Sequence, residues 1–236
     1  MKQIIAMHGW YSDSTYWKDW EDHFQSDGWL WQNSERGYGY IVESEPYWEE
    51  SAKGKIPQQK VIFCHSLGIH LVSRKLLKEA TAIVLLNSFS RFIPNGKESR
   101  STRIALHGMQ KHLGKQTEGA MLLKFIEKAN HPYIALCSPQ QNCKKEISAK
   151  GREKLKTDLD LLINSKELPD GLKKQAKVLV IHGQKDQIVS AETKQSLIDD
   201  LTKHLATPPL SWEIKEEGHF IRSKSLINKV HGWLSF

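Results

Sequence analysis

Short runs of apolar residues alternate with stretches of helical spacing along most of this chain. Ile4 to Met7 is the first run and ends at His8-Gly9-Trp10. Trp29 to Trp31, after Gly28, predicts a second strand leading into the glycine-rich turn Arg36-Gly37-Tyr38-Gly39. Val61 to Cys64 is a third, followed at once by a helical pattern with Ile69, Leu71, Val72, Leu76 and Leu77 apolar. Thr81 to Leu86, Val178 to Ile181 and Leu210 to Ile214 predict three more strands, and a closing helix runs from about Ser223 to Leu234. Continuous rather than alternating apolar strands between helices predict an α/β protein with a mostly parallel central sheet flanked by helices.

Between Ser88 and about Gly171 the strand pattern stops and only helical spacing remains, at Ile104 to Leu113, Ala120 to Ala129 and Lys150 to Ile163. The expected organisation is therefore a core made of residues 1–87 and 171–236, with residues 88–170 inserted as a helical cap.

The 236 residues fit one domain, two at most. No apolar run approaches the ~18 residues that cross a bilayer, and the opening MKQIIAMHGW predicts a cytoplasmic chain that begins with a strand. Cys64, Cys137 and Cys143 lack the paired spacing of a zinc site and are expected to stay reduced. The net charge of +7 is unevenly spread: residues 88–170 hold 15 Lys and Arg against 9 Asp and Glu. Lysine dominates there, without an aromatic RNA-binding signature, a zinc finger or a helix-turn-helix, so an acidic protein or acidic ligand is expected rather than nucleic acid.

The candidate chemistry begins at the end of the third strand. Cys64-His65-Ser66-Leu67-Gly68, between an apolar strand and a helix start, is a nucleophile elbow in which Ser66 occupies a strained turn between small neighbours. A serine nucleophile needs a base, and the base an orienting carboxylate. Asp186 follows the fifth strand and His219 the sixth, giving the order Ser, Asp, His. The other place for an acid, after the fourth strand, holds Asn87, which carries no charge. His8, His65 and His182 each precede another motif element and are expected to pack or orient turns. The developing oxyanion needs two backbone N–H groups, assigned to Leu67 and Trp10. This chemistry requires no metal or organic cofactor.

With these motifs the chain resembles the α/β-hydrolases, and among them the pimeloyl-acyl-carrier-protein methyl ester esterases of biotin synthesis. The resemblance rests on His8-Gly9-Trp10, Arg36-Gly37-Tyr38-Gly39, Ser66-Leu67-Gly68, Ser88-Phe89, Lys124-Phe125, Gly183 with Asp186, and Gly218-His219-Phe220. Cys64 in place of glycine, His65 in place of tryptophan and Ile69 in place of a second glycine depart from that pattern. The resemblance implies a serine carboxylesterase acting on an acyl chain tethered to an acidic carrier protein. Arg100, Arg103, His107 and Lys111, spaced as one helical stripe, and the pair Lys124 and Lys128 are then expected to meet the carrier, and Phe125 to line the acyl path. A generalist short-chain carboxylesterase or thioesterase, and a non-catalytic binding protein on the same scaffold, are the competing expectations.

Overall fold

The computed structural model describes residues 2–49, 59–97, 99–133 and 147–235. Its centre is a six-stranded, all-parallel sheet: β1 (Lys2–Met7), β2 (Leu30–Ser34), β3 (Gln59–His65), β4 (Ala82–Leu86), β5 (Lys177–Gly183) and β6 (Leu210–Ile214), in the order β2-β1-β3-β4-β5-β6. The α/β fold class expected from the alternation is the one observed. Residues along each strand point alternately to the two faces, so two separate cores form. On one face Ile4, Val61, Phe63, Val84 and Ile181 pack against helices α1 (Lys18–Ser26) and α8 (Lys224–Leu234). On the other, Ile5, Ile62, Ile83 and Val180 meet α2 (Gly68–Leu71), α3 (Arg74–Glu79) and α7 (Ala191–His204). Because both faces are covered, β3, β4 and β5 are apolar almost without interruption, which is why their runs stand out in the sequence.

The helix expected after the elbow is two helices. Val72 is extended, with ψ 135°, and Ser73 caps α3 by accepting from the Leu76 N–H, so α2 ends after one turn.

Three helices, α4 (Ser99–His112), α5 (Glu118–Asn130) and α6 (Ala149–Asn164), lie between β4 and β5. Their inward faces build a third core over the carboxyl ends of the strands, where Leu106, Leu122, Leu155 and Leu159 meet Trp10, Tyr38, Leu67 and Phe89. Two anchors fix this insert. The buried Asp158 of α6 accepts from Arg36 Nε at 2.8 Å, from Arg36 Nη2 at 2.6 Å and from the Tyr38 hydroxyl at 2.5 Å, all from the turn after β2. At the end of α5, Ala129 O accepts from Phe220 N–H and Asn130 Oδ1 from Arg222 Nη2. The insert therefore touches the loops after β1, β2 and β6.

Candidate active site

Ser66 follows β3 with φ 53°, a left-handed conformation that L-residues rarely adopt. The turn survives because its neighbours leave it room. A Cβ on Gly9 would sit 2.8 Å from the Ser66 Cβ, and one on Gly68 would sit 2.6 Å from the Met7 carbonyl oxygen. Ser66 N–H donates to Leu86 O at 2.9 Å, and its carbonyl accepts from the Ser88 hydroxyl at 2.6 Å, so the strained residue is held from β4. Cys64, in place of glycine, turns into the core between β3 and the helices, where burial pushes its thiol up and away from reactivity.

Asp186 and His219 meet: His219 Nδ1 lies 3.0 Å from Asp186 Oδ2, and both side chains are essentially out of solvent. The other carboxylate oxygen, Oδ1, accepts from the N–H groups of Ile188 and Val189 at 2.7 and 3.1 Å. Burial alone would raise the Asp186 carboxyl, but the facing imidazole and the backbone donor outweigh it and hold it below its ordinary value. An ionised Asp186 selects the His219 tautomer with hydrogen on Nδ1, leaving Nε2 as the basic nitrogen.

Gly9, packed on the elbow, places the loop carrying Trp10 beside Ser66. Among the described residues neither Trp10 N–H nor Leu67 N–H is donated to a protein acceptor. The Trp10 ring is anchored separately, its Nε1–H donating to Leu155 O on α6 at 2.9 Å. Phe125 of α5 stands edge-on to Trp10 at 5.0 Å between ring centres and reaches Tyr11 at 6.5 Å. A cleft of about 510 Å³ has Tyr11, Tyr16, Ile126, Phe220 and Arg222 in its wall; Ser66, Asp186 and His219 do not line it.

The three histidines expected to pack or orient turns, His8, His65 and His182, are all buried. His8 lies 2.9 Å from Gly9 O through Nδ1 and 3.2 Å from Glu35 through Nε2. Burial would raise Glu35, but His8 and the N–H groups of Gly37 and Ser14 bring it down to about 2. This ties the loop of Trp10 to the turn after β2. His65 donates from Nε2 to the His219 carbonyl at 2.9 Å and packs on Phe220; burial and the His219 imidazole keep it neutral, well below the usual histidine range. His182 is buried in β5, and burial with the nearby Lys194 lowers it to about 4.

The insert residues lie elsewhere. α4 runs unbroken through Gly108, so Arg100, Arg103, His107 and Lys111 do form one exposed stripe. Lys124 and Lys128 are exposed on α5. Among the described residues none of these five Lys and Arg side chains is paired with a carboxylate, and none touches Ser66, Asp186 or His219. Cys137 and Cys143 lie outside the described residues.

Asn87 was legible in the sequence only as an acid position without an acid. Its side chain instead accepts from Gly183 N–H and donates to the carbonyls of Gly218 and His219, each at 2.8 Å. A left-handed asparagine at a strand end is the signal that points to it, and that signal lies in the backbone.

No family profile and no curated protein matches the chain by sequence. Solved structures match the fold over its whole length. An esterase from Exiguobacterium antarcticum superposes with a TM-score of 0.70 at 18% identity, covering 100% of this chain and 92% of its own. A bromoperoxidase from Bacillus anthracis gives 0.66 at 15% identity, with 99% and 91% covered. An epoxide hydrolase from Bacillus megaterium gives 0.67 at 13% identity, with 100% and 94% covered. The architecture is thus the α/β-hydrolase fold, a scaffold shared by proteins of different named activities.

Proposed function

We propose that this protein is a serine hydrolase of carboxylic esters, and that its substrate is the methyl ester of a pimeloyl chain borne by acyl carrier protein. The observation that carries the first part is the buried Asp186–His219 pair on the same sheet edge as a strained Ser66. Ser66 Oγ attacks the ester carbonyl carbon while His219 Nε2 takes its proton. The tetrahedral oxyanion rests on the N–H groups of Trp10 and Leu67. It collapses with cleavage of the bond to the alkoxy oxygen, which leaves as methanol with the proton from His219. Water then attacks the acyl-enzyme, passes a proton to His219 and restores the Ser66 hydroxyl as the free carboxylic acid departs. Asp186 orients the imidazole throughout.

The second part rests on the resemblance and is supported by the exposed cations of α4 and α5, which pair with no carboxylate among the described residues and suit an acidic carrier. Phe125 and Trp10 give an acyl chain an aromatic wall. The test pairs two substrates. Fluorophosphonate labelling is expected at Ser66, and kcat/KM is expected to favour the carrier-borne methyl ester over free short esters. Equal or better turnover of free short esters would make the protein a generalist carboxylesterase, and absence of labelling would leave a binding protein on a hydrolase scaffold. Restored biotin-free growth of a host lacking its own pimeloyl methyl ester esterase is the corresponding cellular outcome.

A further inference from the structure

Three non-glycine residues among those described have a left-handed backbone: Tyr11 after β1, Ser66 after β3 and Asn87 after β4. These strands are neighbours in the sheet, so the strain is concentrated at the carboxyl ends around the elbow. Ser66 bears the hydroxyl and Tyr11 follows Trp10, which leaves Asn87 without a part in the chemistry described.

Its bonds supply one. Asn87 Oδ1 takes the Gly183 N–H, at the root of the loop that bears Asp186. The two hydrogens of its amide nitrogen go to Gly218 O and to the carbonyl of His219 itself. The side chain is fully buried, and both carbonyls can only accept, so the orientation of the amide is fixed by its partners. The His219 carbonyl accepts a second bond, from His65 Nε2, and His65 immediately precedes Ser66. One side chain thus joins the acid-bearing loop to the base-bearing loop, and a second joins the base to the elbow. Asparagine alone combines two donors, one acceptor and tolerance of φ 45°; aspartate would turn acceptor oxygens toward two carbonyls.

We propose that Asn87 is a positioning residue for catalysis, setting the His219 backbone so that its imidazole meets Asp186 and Ser66 together, with His65 as its second support. The inference rests on the serine reading above. The test compares wild type, Asn87→Gly and Asn87→Asp on p-nitrophenyl butyrate, with fluorophosphonate labelling and thermal melts alongside. Glycine removes the three bonds and relaxes the backbone, so it should stay folded; aspartate keeps the shape and the Gly183 contact but replaces the donors with an oxygen that faces the Gly218 and His219 carbonyls. Both should lower kcat on the order of 10- to 100-fold at nearly unchanged KM. In an Asp186→Asn background the same changes should cost less than about threefold, because the orientation they protect is already lost. A merely structural role would instead reduce the labelled fraction in proportion to folded protein, and its cost would be additive with Asp186→Asn; either result overturns the proposal. A wild type that takes no label overturns the serine reading and this inference with it. A wild type that labels, beside Asn87 variants of equal kcat, overturns the inference alone.

Discussion

Asp186, His219 and Glu35 in the sheet core are buried and each is held by named partners, whereas Arg100, Arg103, Lys111, Lys124 and Lys128 of the helical insert stand in water. The two regions treat charge in opposite ways. In the core a charge is surrounded by donors fixed in the backbone, so moving one atom changes the whole arrangement. On the exposed face of the insert each charge acts over distance and through its neighbours, and its effect is diluted by solvent and salt.

Breaking the core should produce the largest effects. Ser66→Ala is expected to reduce kcat on the order of 10⁴- to 10⁶-fold with an unchanged melting temperature, and His219→Ala to match it. Asp186→Asn should fall less, since a loosely held imidazole still acts occasionally. Steady-state kinetics on a free ester checks all three, and more than a tenth of the activity left in Ser66→Ala would remove Ser66 from the role.

Next comes the seam between the regions. Asp158→Ala strands the half-buried Arg36 guanidinium and the Tyr38 hydroxyl, and should lower stability by about 3 kcal/mol in denaturant titration. A loss confined to a few tenths would show that the insert is held by its other contacts and not by Asp158.

Acid should weaken the core before it affects the insert. His182 has a folded pKa of about 4 against an ordinary 6.5, so between those values the unfolded chain binds the extra proton and stability falls as pH drops. Glu35, at about 2 against 4.5, adds a second loss below about pH 4.5. Melting temperature is expected to decline from about pH 6.5 downward, and His182→Gln should flatten the upper part of that decline. An unchanged slope in the variant would remove His182 as its source.

The smallest effect belongs to the insert. Reversing Arg100, Arg103, Lys111, Lys124 and Lys128 to glutamate should raise KM for a carrier-borne ester on the order of tenfold, leave its kcat nearly alone and leave a free ester untouched. Salt should weaken the wild-type reaction with the carrier and barely alter the variant. Equal losses on both substrates would tie these cations to folding or to the pocket.

The parts of the fold legible in the sequence are those where burial leaves no choice of residue. β3, β4 and β5 are covered on both faces and read as unbroken apolar runs, and the elbow shows itself because Ser66 must stand between a strand and a helix. α1 and α7 did not stand out, since each buries only two or three side chains, Trp20 and Phe24 in one and Thr193, Leu197 and Leu201 in the other, within a polar stretch. The break between α2 and α3 depends on a cap formed by a single serine. Asp186 and His219 were legible because each follows a strand. The bonds of Asn87 were not, because its partners are main-chain atoms of Gly183, Gly218 and His219, far along the chain, and a main-chain atom leaves no mark in residue type.

The pairing of β4 with β5 has a consequence for how the molecule forms. Leu86 lies beside Ile181, yet the whole insert separates them along the chain. Joining them closes a long loop, and loop closure of this kind slows folding because its entropy is lost before the contacts repay it. Helices that form locally within that loop shorten its effective length, since each residue then advances the chain by only about 1.5 Å. On this argument the helices between β4 and β5 act as a folding spacer, and substitutions that weaken α4 or α6 would slow assembly of a sheet they scarcely touch.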